Sequence, residues 1–187
     1  SLVPGRQPTG HKTLNMIFRD DDIQKGTDIK RFIMVVELFK KHSVIHTIAV
    51  ISQGIEYNME LIEYISNNSH IDVQFHCHTH IDFSKASVYE MREQFKKGLD
   101  NINVYLNKKP HTFYPPWNRS SELCEKVALE FGLTVSNKKI SFETYINRNG
   151  VSEDKIINFH YWHDDLNIIE CALRIYKRTL LGNNYPL

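Results

Sequence analysis

Strand-like segments alternate with helix-like segments along most of the chain, and this alternation is the strongest constraint on its fold. Five segments have the apolar or alternating pattern that is typical of strands: residues 14–19, 44–51, 71–77, 111–114 and 156–162. Helical periodicity covers the stretches between and after them: residues 27–42, 58–68, 87–106, 120–131 and 164–181. Residues 134–150 carry only weak strand signals. Strands that are separated by helices usually pair in parallel, so the pattern predicts an α/β fold.

The length of 187 residues favours a single domain, which we place at residues 11–187. The first ten residues (SLVPGRQPTG) are polar and rich in Pro and Gly, and we interpret them as a tail or an added remnant. The spacing of the segments is compatible with a closed barrel and with an open sheet. In both architectures the reacting groups gather at the C-terminal ends of the parallel strands.

Composition and charge exclude several classes of protein. The formal net charge of +1 is too small for phosphate neutralisation to drive binding to nucleic acid. No stretch reaches the roughly 18 to 20 apolar residues of a membrane span, and the first ten residues do not resemble a signal peptide. Three cysteines exclude a disulfide scaffold and favour a reducing compartment such as the cytoplasm. The chain also lacks a Gly-x-Ser-x-Gly nucleophile motif and a Gly-rich phosphate loop.

Three consecutive carboxylates, Asp20, Asp21 and Asp22, follow the first predicted strand. Carboxylates at this spacing repel one another unless a positive charge neutralises them, so the cluster favours a bound cation. The alternative interpretation is a solvated acidic turn before the helix that begins near Thr27, because acidic side chains stabilise helix N-termini.

Three histidines, His76, His78 and His80, lie within five residues at the end of the third predicted strand. The spacing of His76 and His80 allows two imidazoles to converge on one metal ion. His78 is a competing ligand, and together with Asp82 it offers a second possible frame for a metal site. We expect Cys77, between these histidines, to pack into the core as small buried cysteines do.

The acidic cluster and the histidine cluster both follow strands, so both are predicted at the C-terminal edge of the sheet. One carboxylate and two imidazoles leave positions open around a metal ion, which is typical of catalytic zinc. A second carboxylate beside the metal would serve as general base for a water that the metal acidifies to a pKa of about 7. Asp21 and Asp22 supply both carboxylates.

Four segments resemble motifs of the polysaccharide deacetylase family, carbohydrate esterase family 4, and they occur in the same order. Residues 16–23 (MIFRDDDI) resemble the first motif, in which a strand leads into Thr-Phe-Asp-Asp-Gly. Residues 71–80 (IDVQFHCHTH) are similar to the second motif, His-Ser/Thr-x-x-His after a strand. Residues 113–118 (FYPPWN) and 158–160 (NFH) resemble the third motif, Phe-Arg-Pro-Pro-Tyr-Gly, and the fifth, Leu-x-His. The resemblance extends over roughly residues 14–165.

The resemblance implies a distorted, incomplete (β/α) barrel in which Asp22, His76 and His80 hold a divalent metal ion, usually zinc. An alternative register sets Asp20 and Asp21 in the two aspartate places, with Asp22 in the glycine place. We prefer the pair Asp21 and Asp22, because the strand that precedes them then stays in phase.

The resemblance also implies roles for three further groups. Asp21 would be the general base, and His160 the general acid that protonates the leaving group. The backbone N–H of Trp117, at the family's tyrosine position, would help to bind the oxyanion. The implied activity is removal of acetyl groups from N- or O-acetylated sugars or glycans by metal-activated water. Tyr161, Trp162 and His163 beside the proposed acid suggest an aromatic groove for the carbohydrate.

Two departures from the family pattern leave other functions open. Tyr114 stands where the family has the arginine that orients the catalytic aspartate, and residues 134–155 contain no Asp-x-x-Asp-Trp fourth motif. Loss of such supporting groups typically costs about 10 to 100-fold in activity. The alternatives are a catalytically impaired carbohydrate-binding pseudoenzyme and a metal hydrolase of the same fold acting on a non-sugar amide. Arg19 is a candidate for the missing positive charge, or else belongs to an ordinary ion pair.

Overall fold

The computed structural model of this protein describes residues 16–150 and 155–181, so the predicted tail at 1–10 lies outside the described residues. In these ranges the sheet contains six strands: β1 (Ile17–Ile23), β2 (His46–Ile51), β3 (Ile71–Cys77), β4 (Thr112–Phe113), β5 (Thr134–Val135) and β6 (Ile156–Phe159). Six α-helices accompany them in the same part of the chain: α1 (Ile29–Lys41), α2 (Met59–Ser66), α3 (Val88–Asn101), α4 (Glu122–Glu130), α5 (Phe142–Asn147) and α6 (Leu166–Leu181).

All strand pairs in this sheet are parallel, and their order is β5-β4-β3-β2-β1-β6. The first five strands follow one another in one direction, whereas an open doubly wound sheet reverses direction near its middle. The last strand, β6, lies beside the first. Within the described residues the edge strands β5 and β6 do not pair with each other, so the barrel is incomplete. The predicted α/β fold, a distorted and incomplete (β/α) barrel, is confirmed.

Aromatic side chains fill the space between the sheet and helix α3. The ring centroids of Phe75 and Phe113, on adjacent strands, are 5.6 Å apart, and Phe95 of α3 packs within 5.7 Å of both. Ser87 and Glu90 form a capping box that fixes the start of this helix. The core therefore fixes the end of β3, where the histidine cluster begins.

The structure differs from the predicted segments mainly at three places. The first strand does not end at residue 19 but extends to Ile23, so the three aspartates belong to the end of β1 rather than to a turn after it. The region 134–150 contains α5, which the sequence pattern missed because only Phe142 and Tyr145 of this six-residue helix are buried. The last strand ends at Phe159, and residues 160–164 form a turn instead of continuing the strand.

Two smaller expectations concern the cysteines and the membrane. Cys77 is buried as predicted, Cys124 is also buried, Cys171 is exposed, and all three are free thiols. No helix in the described ranges combines the length and the apolar character that crossing a bilayer requires.

Replacement of Gly98 by Ala tests the packing of α3 on the sheet. A Cβ atom at Gly98 would overlap the ring of Phe75, so the ring must move. Alanine normally stabilises a helix by about 0.5–1 kcal/mol relative to glycine, but overpacking costs about 1–3 kcal/mol. We expect Gly98→Ala to lower the free energy of unfolding by about 1–2 kcal/mol, as measured by urea denaturation followed by circular dichroism.

Gly26 provides the matched control, because a Cβ atom added there would have nothing within 4 Å and the φ of this glycine is not positive. We expect Gly26→Ala to leave stability unchanged or to raise it by up to about 1 kcal/mol. Equal stability of the two variants would contradict the described packing of Gly98 against Phe75.

Candidate active site

The end of β1 has an irregular backbone that turns the side chain of Asp22 away from the regular strand pattern. The pairing of β1 with β2 shifts register between Asp20 and Ile23, and Asp22 has a φ of 64°. Aspartate tolerates this left-handed conformation better than most residues that have a Cβ atom, because its short polar side chain can bond locally. A residue held in this way at a strand end is often part of a functional site.

Asp22 lies against two imidazoles from the end of β3 and the loop that follows it. Its Oδ1 atom is 3.1 Å from Nε2 of His76 and 3.4 Å from Nε2 of His80. One potential ligand atom from each of the three residues lies within 4.8 Å of the others. Burial raises the pKa of Asp22, but the two nearby imidazoles lower it by more, so the net pKa is well below its ordinary range.

The donor set of these three residues suits a divalent metal ion. The buried Oδ1 atom of Asp22 has no hydrogen-bond partner among the described residues, although two imidazole nitrogens lie close to it. Such an arrangement is expected when neighbouring groups are aimed at a common ion instead of at each other. One carboxylate oxygen and two imidazole nitrogens are ligands that zinc prefers.

A hydrogen bond to the main chain fixes the orientation of His76. Its Nδ1 atom lies 2.5 Å from the carbonyl oxygen of Tyr114, in the segment after β4. Because a carbonyl oxygen only accepts hydrogen bonds, Nδ1 carries the hydrogen and Nε2 presents its lone pair on the side of Asp22. Metal-binding histidines typically donate their second N–H in this manner.

Asp21 is a buried carboxylate with one oxygen bound and one oxygen without a partner. Its Oδ2 atom accepts a hydrogen bond of 2.8 Å from Arg19 and another of 2.8 Å from Asn158 on β6. The Oδ1 atom is buried and has no hydrogen-bond partner within the described part of the chain. The carboxylate is therefore fixed in orientation while one oxygen stays available as a proton acceptor.

The guanidinium of Arg19 is completely buried beneath the site. It forms the ion pair with Asp21, donates a hydrogen bond of 2.9 Å to Oδ1 of Asn118, and lies 4.5 Å from the ring centroid of Tyr114. Arg19, two residues before Asp21 on the same strand, thus provides a positive charge beside that carboxylate. Tyr114, at the family's arginine position, supports the guanidinium through its aromatic ring.

His160 directly follows β6 and lies near the second carboxylate oxygen of Asp22. Its Nε2 atom is 3.7 Å from Oδ2 of Asp22, and about a third of its side chain is exposed. Burial lowers the pKa of His160, and this effect outweighs the carboxylates of Asp21, Asp22 and Asp164, which raise it. Among residues 16–150 and 155–181, Asp22 alone has a carboxylate within 4.0 Å of the His160 ring nitrogens.

Two exposed tryptophans border this group of residues. The indole of Trp117 contacts the His80 ring edge-on at 4.3 Å between centroids, and that of Trp162 lies 4.6 Å from the His160 ring. Trp117 has a φ of 53°, so the backbone that carries the predicted oxyanion donor is in the left-handed region. Tyr161 is buried and its hydroxyl accepts a hydrogen bond from the N–H of Asp28, so it does not contribute to an exposed groove.

The alternative ligands considered from the sequence lie outside this group. The Nδ1 atom of His78 is 3.1 Å from the hydroxyl of Ser52, and Asp82 bonds to Ser84 in its own loop. Asp20 is buried, and its Oδ2 atom lies 3.1 Å from Nε2 of His46.

Sequence reasoning did not identify His46 as part of this region, and it included Asn118 and Asn158 only as the last residue of the third motif and the first residue of the fifth. Asn118 and Asn158 contact residues of β1 that are about one hundred or more positions away along the chain. For Asn158, its position two residues before the proposed acid at the end of a strand was the available signal, because side chains two apart share a strand face.

Comparison with known proteins identifies relatives of this fold. The family model for polysaccharide deacetylase matches residues 7–136, which is more than half of the chain. No curated protein sequence matches. A structure of a CE4 family pseudoenzyme from Bacillus anthracis is 18% identical with a TM-score of 0.69, and the match covers 88% of this chain and 61% of that one. The chain thus spans less than two thirds of that protein.

Two further similar structures are described as enzymes. The Bc1960 peptidoglycan N-acetylglucosamine deacetylase is 19% identical with a TM-score of 0.73, and the match covers 89% of this chain and 83% of that one. A family 4 acetyl xylan esterase from Clostridium thermocellum, in complex with a cobalt ion, is 19% identical with a TM-score of 0.66 and coverages of 90% and 85%. At these identities the likeness supports the fold.

Removal of the Arg19 side-chain charge tests the buried ion pair. In Arg19→Met, the carboxylate of Asp21 stays buried without its cation, and such losses cost about 3–5 kcal/mol. We expect this decrease in the free energy of unfolding by urea denaturation. Arg92→Met, which breaks an exposed pair with Glu130, should cost less than about 1 kcal/mol.

The double variant Arg19→Met/Asp21→Asn distinguishes charge pairing from loss of packing. Because it removes both charges, we expect it to be more stable than Arg19→Met by at least about 1 kcal/mol. If the double variant is less stable than Arg19→Met, Asp21 does not depend on Arg19 for its burial.

Proposed function

This chain belongs to the polysaccharide deacetylase family, and we propose that it hydrolyses acetyl groups from N- or O-acetylated carbohydrates with a divalent metal ion, for which zinc is the first expectation. The observation that carries the proposal is the convergence of Asp22, His76 and His80 at one point, with Asp21 and His160 beside them. Similar structures that act on peptidoglycan and acetyl xylan support a carbohydrate substrate.

In this proposal Asp22, His76 and His80 hold the metal ion. The ion supplies Lewis acidity, which polarises the acetyl carbonyl and makes a water molecule more acidic. The left-handed backbone of Asp22 and the hydrogen bond from His76 to the Tyr114 carbonyl orient two of the three ligand groups. Preorganisation of this kind limits the reorganisation that binding requires.

Asp21 acts as the general base. Arg19 and Asn158 both bond to its Oδ2 atom, so Oδ1 is the oxygen that accepts a proton from the attacking water. The buried guanidinium also keeps the carboxylate in one orientation during the reaction. The backbone N–H of Trp117 stabilises the negative charge that develops on the acetyl oxygen.

His160 donates a proton to the leaving nitrogen or oxygen of the sugar. Its Nε2 atom lies 3.7 Å from Oδ2 of Asp22, so the ring is next to the proposed metal ligands. A leaving amine or alkoxide is a strong base, so protonation at this step contributes typically about 10²–10⁴-fold to the rate.

The two exposed indoles favour a sugar substrate. About half of the surface of Trp117 and of Trp162 is exposed, and each contacts a histidine of the site. Aromatic faces provide apolar area against which the C–H faces of a pyranose ring can stack. We therefore propose that these rings bind the sugar units on both sides of the acetyl group.

A catalytically impaired carbohydrate-binding protein is the second candidate. It is favoured by the His160 ring, which has no carboxylate partner within 4.0 Å other than Asp22 among the described residues. The similarity to a CE4 family pseudoenzyme points in the same direction. One observation disfavours this second candidate. Asp21 has a buried cationic partner, Arg19, although Tyr114 replaces the arginine of the third motif.

Metal binding is tested by titration of chelator-treated protein with Zn²⁺ in a calorimeter. We expect one ion per chain in the wild type, and an affinity at least about 100-fold weaker in His76→Ala and in His80→Ala, because each variant lacks a ligand. His78→Ala is the matched control, since His78 contacts Ser52, and its affinity should stay within a few-fold of wild type. A loss of affinity confined to His78→Ala and Asp82→Ala would mean that the ligand set is wrong.

Catalysis is tested by acetate release from acetylated chitooligosaccharides, acetyl xylan and peptidoglycan fragments. We expect release by the zinc-loaded wild type, a decrease of at least about 10³-fold in Asp21→Asn, and a decrease of about 10²–10⁴-fold in His160→Ala. Absence of acetate from every substrate, with zinc fully bound, would support the binding protein instead of the hydrolase.

A further inference from the structure

Three hydrogen bonds connect main-chain atoms of the turn that carries His160 to side chains of β1 and α1. The N–H of Tyr161 donates to Oδ1 of Asp20, at 2.9 Å. From α1, the Nε atom of Arg31 donates to the carbonyl oxygen of Tyr161 at 2.6 Å, and its Nη2 atom donates to that of Asp164 at 2.8 Å. One guanidinium thus bridges two carbonyl groups that lie at either end of the turn.

Further bonds make the turn rigid. The N–H of His160 donates to Oδ2 of Asp164 at 2.9 Å, which closes the turn on itself. The hydroxyl of Tyr161 accepts a hydrogen bond of 3.0 Å from Asp28, the N-cap residue of α1. The ring of Tyr161 packs edge-on against Phe32 of the same helix.

Asp20 is itself held in place from the sheet. Its second oxygen lies 3.1 Å from Nε2 of His46, and both side chains are completely inaccessible to solvent. The His46 ring is stacked on Phe39 at 4.5 Å and on Phe159 at 5.6 Å between centroids. Asp20 therefore presents a fixed acceptor to the Tyr161 N–H.

We propose that Arg31 and Asp20 are positioning residues for His160. The inference rests on the proposed function, because it assigns to these residues the placement of the proposed acid. Within the described residues no carboxylate apart from Asp22 lies within 4.0 Å of the His160 ring nitrogens, and the Trp162 ring that contacts this imidazole belongs to the same turn, so the placement of the imidazole depends on the backbone of the turn. The backbone is set by Asp20 at one point and by Arg31 at two.

Arginine is suited to this task because its planar fork presents donors in a fixed geometry. Lysine carries a single ammonium on a flexible stem and cannot reproduce two directed bonds to separate carbonyls. Arg31 is half-buried on α1, outside the group of Asp21, Asp22 and the two metal-site histidines. Its effect on the reaction would therefore act through the placement of His160.

The test compares two substrates that differ in leaving group. Arg31→Gln should lower kcat for an acetylated sugar by about 10 to 100-fold with KM nearly unchanged, because the proton donor is misplaced. Turnover of 4-nitrophenyl acetate should change by less than about 2-fold, since 4-nitrophenolate is a weak base that leaves without protonation. Arg31→Lys should lie between wild type and Arg31→Gln.

Two controls separate positioning from a general loss of structure. Arg92→Gln, on an exposed ion pair with Glu130, should leave both activities unchanged. In a His160→Ala background, Arg31→Gln should cause no further loss of sugar deacetylation, because the residue that it positions is absent. An equal loss on both substrates, or an undiminished loss in the His160→Ala background, would overturn the proposal.

A spectroscopic measurement tests the placement independently of turnover, and so separates failure of this inference from failure of the proposed function. The imidazole ¹H–¹³C signals of His160, assigned by comparison with His160→Ala, should shift or broaden in Arg31→Gln and stay unchanged in Arg92→Gln. If the wild type releases no acetate but the His160 signals respond in this way, the positioning stands and the acid role fails. Unchanged signals in Arg31→Gln would overturn the positioning role.

Discussion

Three consecutive aspartates at the end of a central strand, two of them buried and one half-buried, are the constraint on which the site depends. Because side chains alternate along a strand, Asp20 and Asp21 point to opposite faces of the sheet, and each carboxylate is stabilised by a different partner. Arg19 neutralises Asp21 through a buried ion pair. Burial raises the pKa of Asp20 well above its usual range and lowers that of its partner His46 to about 3, which favours a neutral pair. Asp22, on the irregular backbone, meets two imidazoles. Removing a charged group from water costs free energy, so the partners of these aspartates stabilise the folded chain as well as shape the site.

The position of Arg19 explains how Asp21, the proposed base, has a cationic partner although the third motif of this chain lacks arginine. Side chains two residues apart in a strand lie on the same face, so strand geometry places Arg19 next to Asp21. Tyr114 then supplies an aromatic ring beneath the guanidinium in place of a second cation. A second arginine at that position would place two positive charges around one carboxylate, in a region with no access to solvent. Arg19 in the first motif and Tyr114 in the third are thus parts of one local arrangement.

The sequence predicts the features that depend on local periodicity. It does not predict features whose conformation depends on contacts with residues far along the chain. The parallel α/β architecture and the strand Ile71–Cys77 follow from apolar patterning, and the placement of His76 and His80 follows from that strand. The extension of β1 to Ile23 was missed, because three aspartates form a strand only when partners far along the chain accept them. The short helix α5 was missed because two buried residues give too weak a period. Asn118, brought to Arg19 across 99 positions, has no local signature.

The place of β6 beside β1 has a consequence for the order in which the molecule is made. During synthesis from the N-terminus, β2 becomes available to pair with β1 early. The strand that pairs with the other edge of β1, β6, is synthesised more than a hundred residues later. That edge carries unpaired N–H and C=O groups next to buried aspartates, and exposed edges of this kind recruit other strands. Asn158, His160 and the turn that binds Arg31 all arrive with β6. The Asn158 contact to Asp21 and the proposed acid therefore arrive in the same late step that closes the sheet edge, whereas Asp22, His76 and His80 lie in segments that are synthesised earlier.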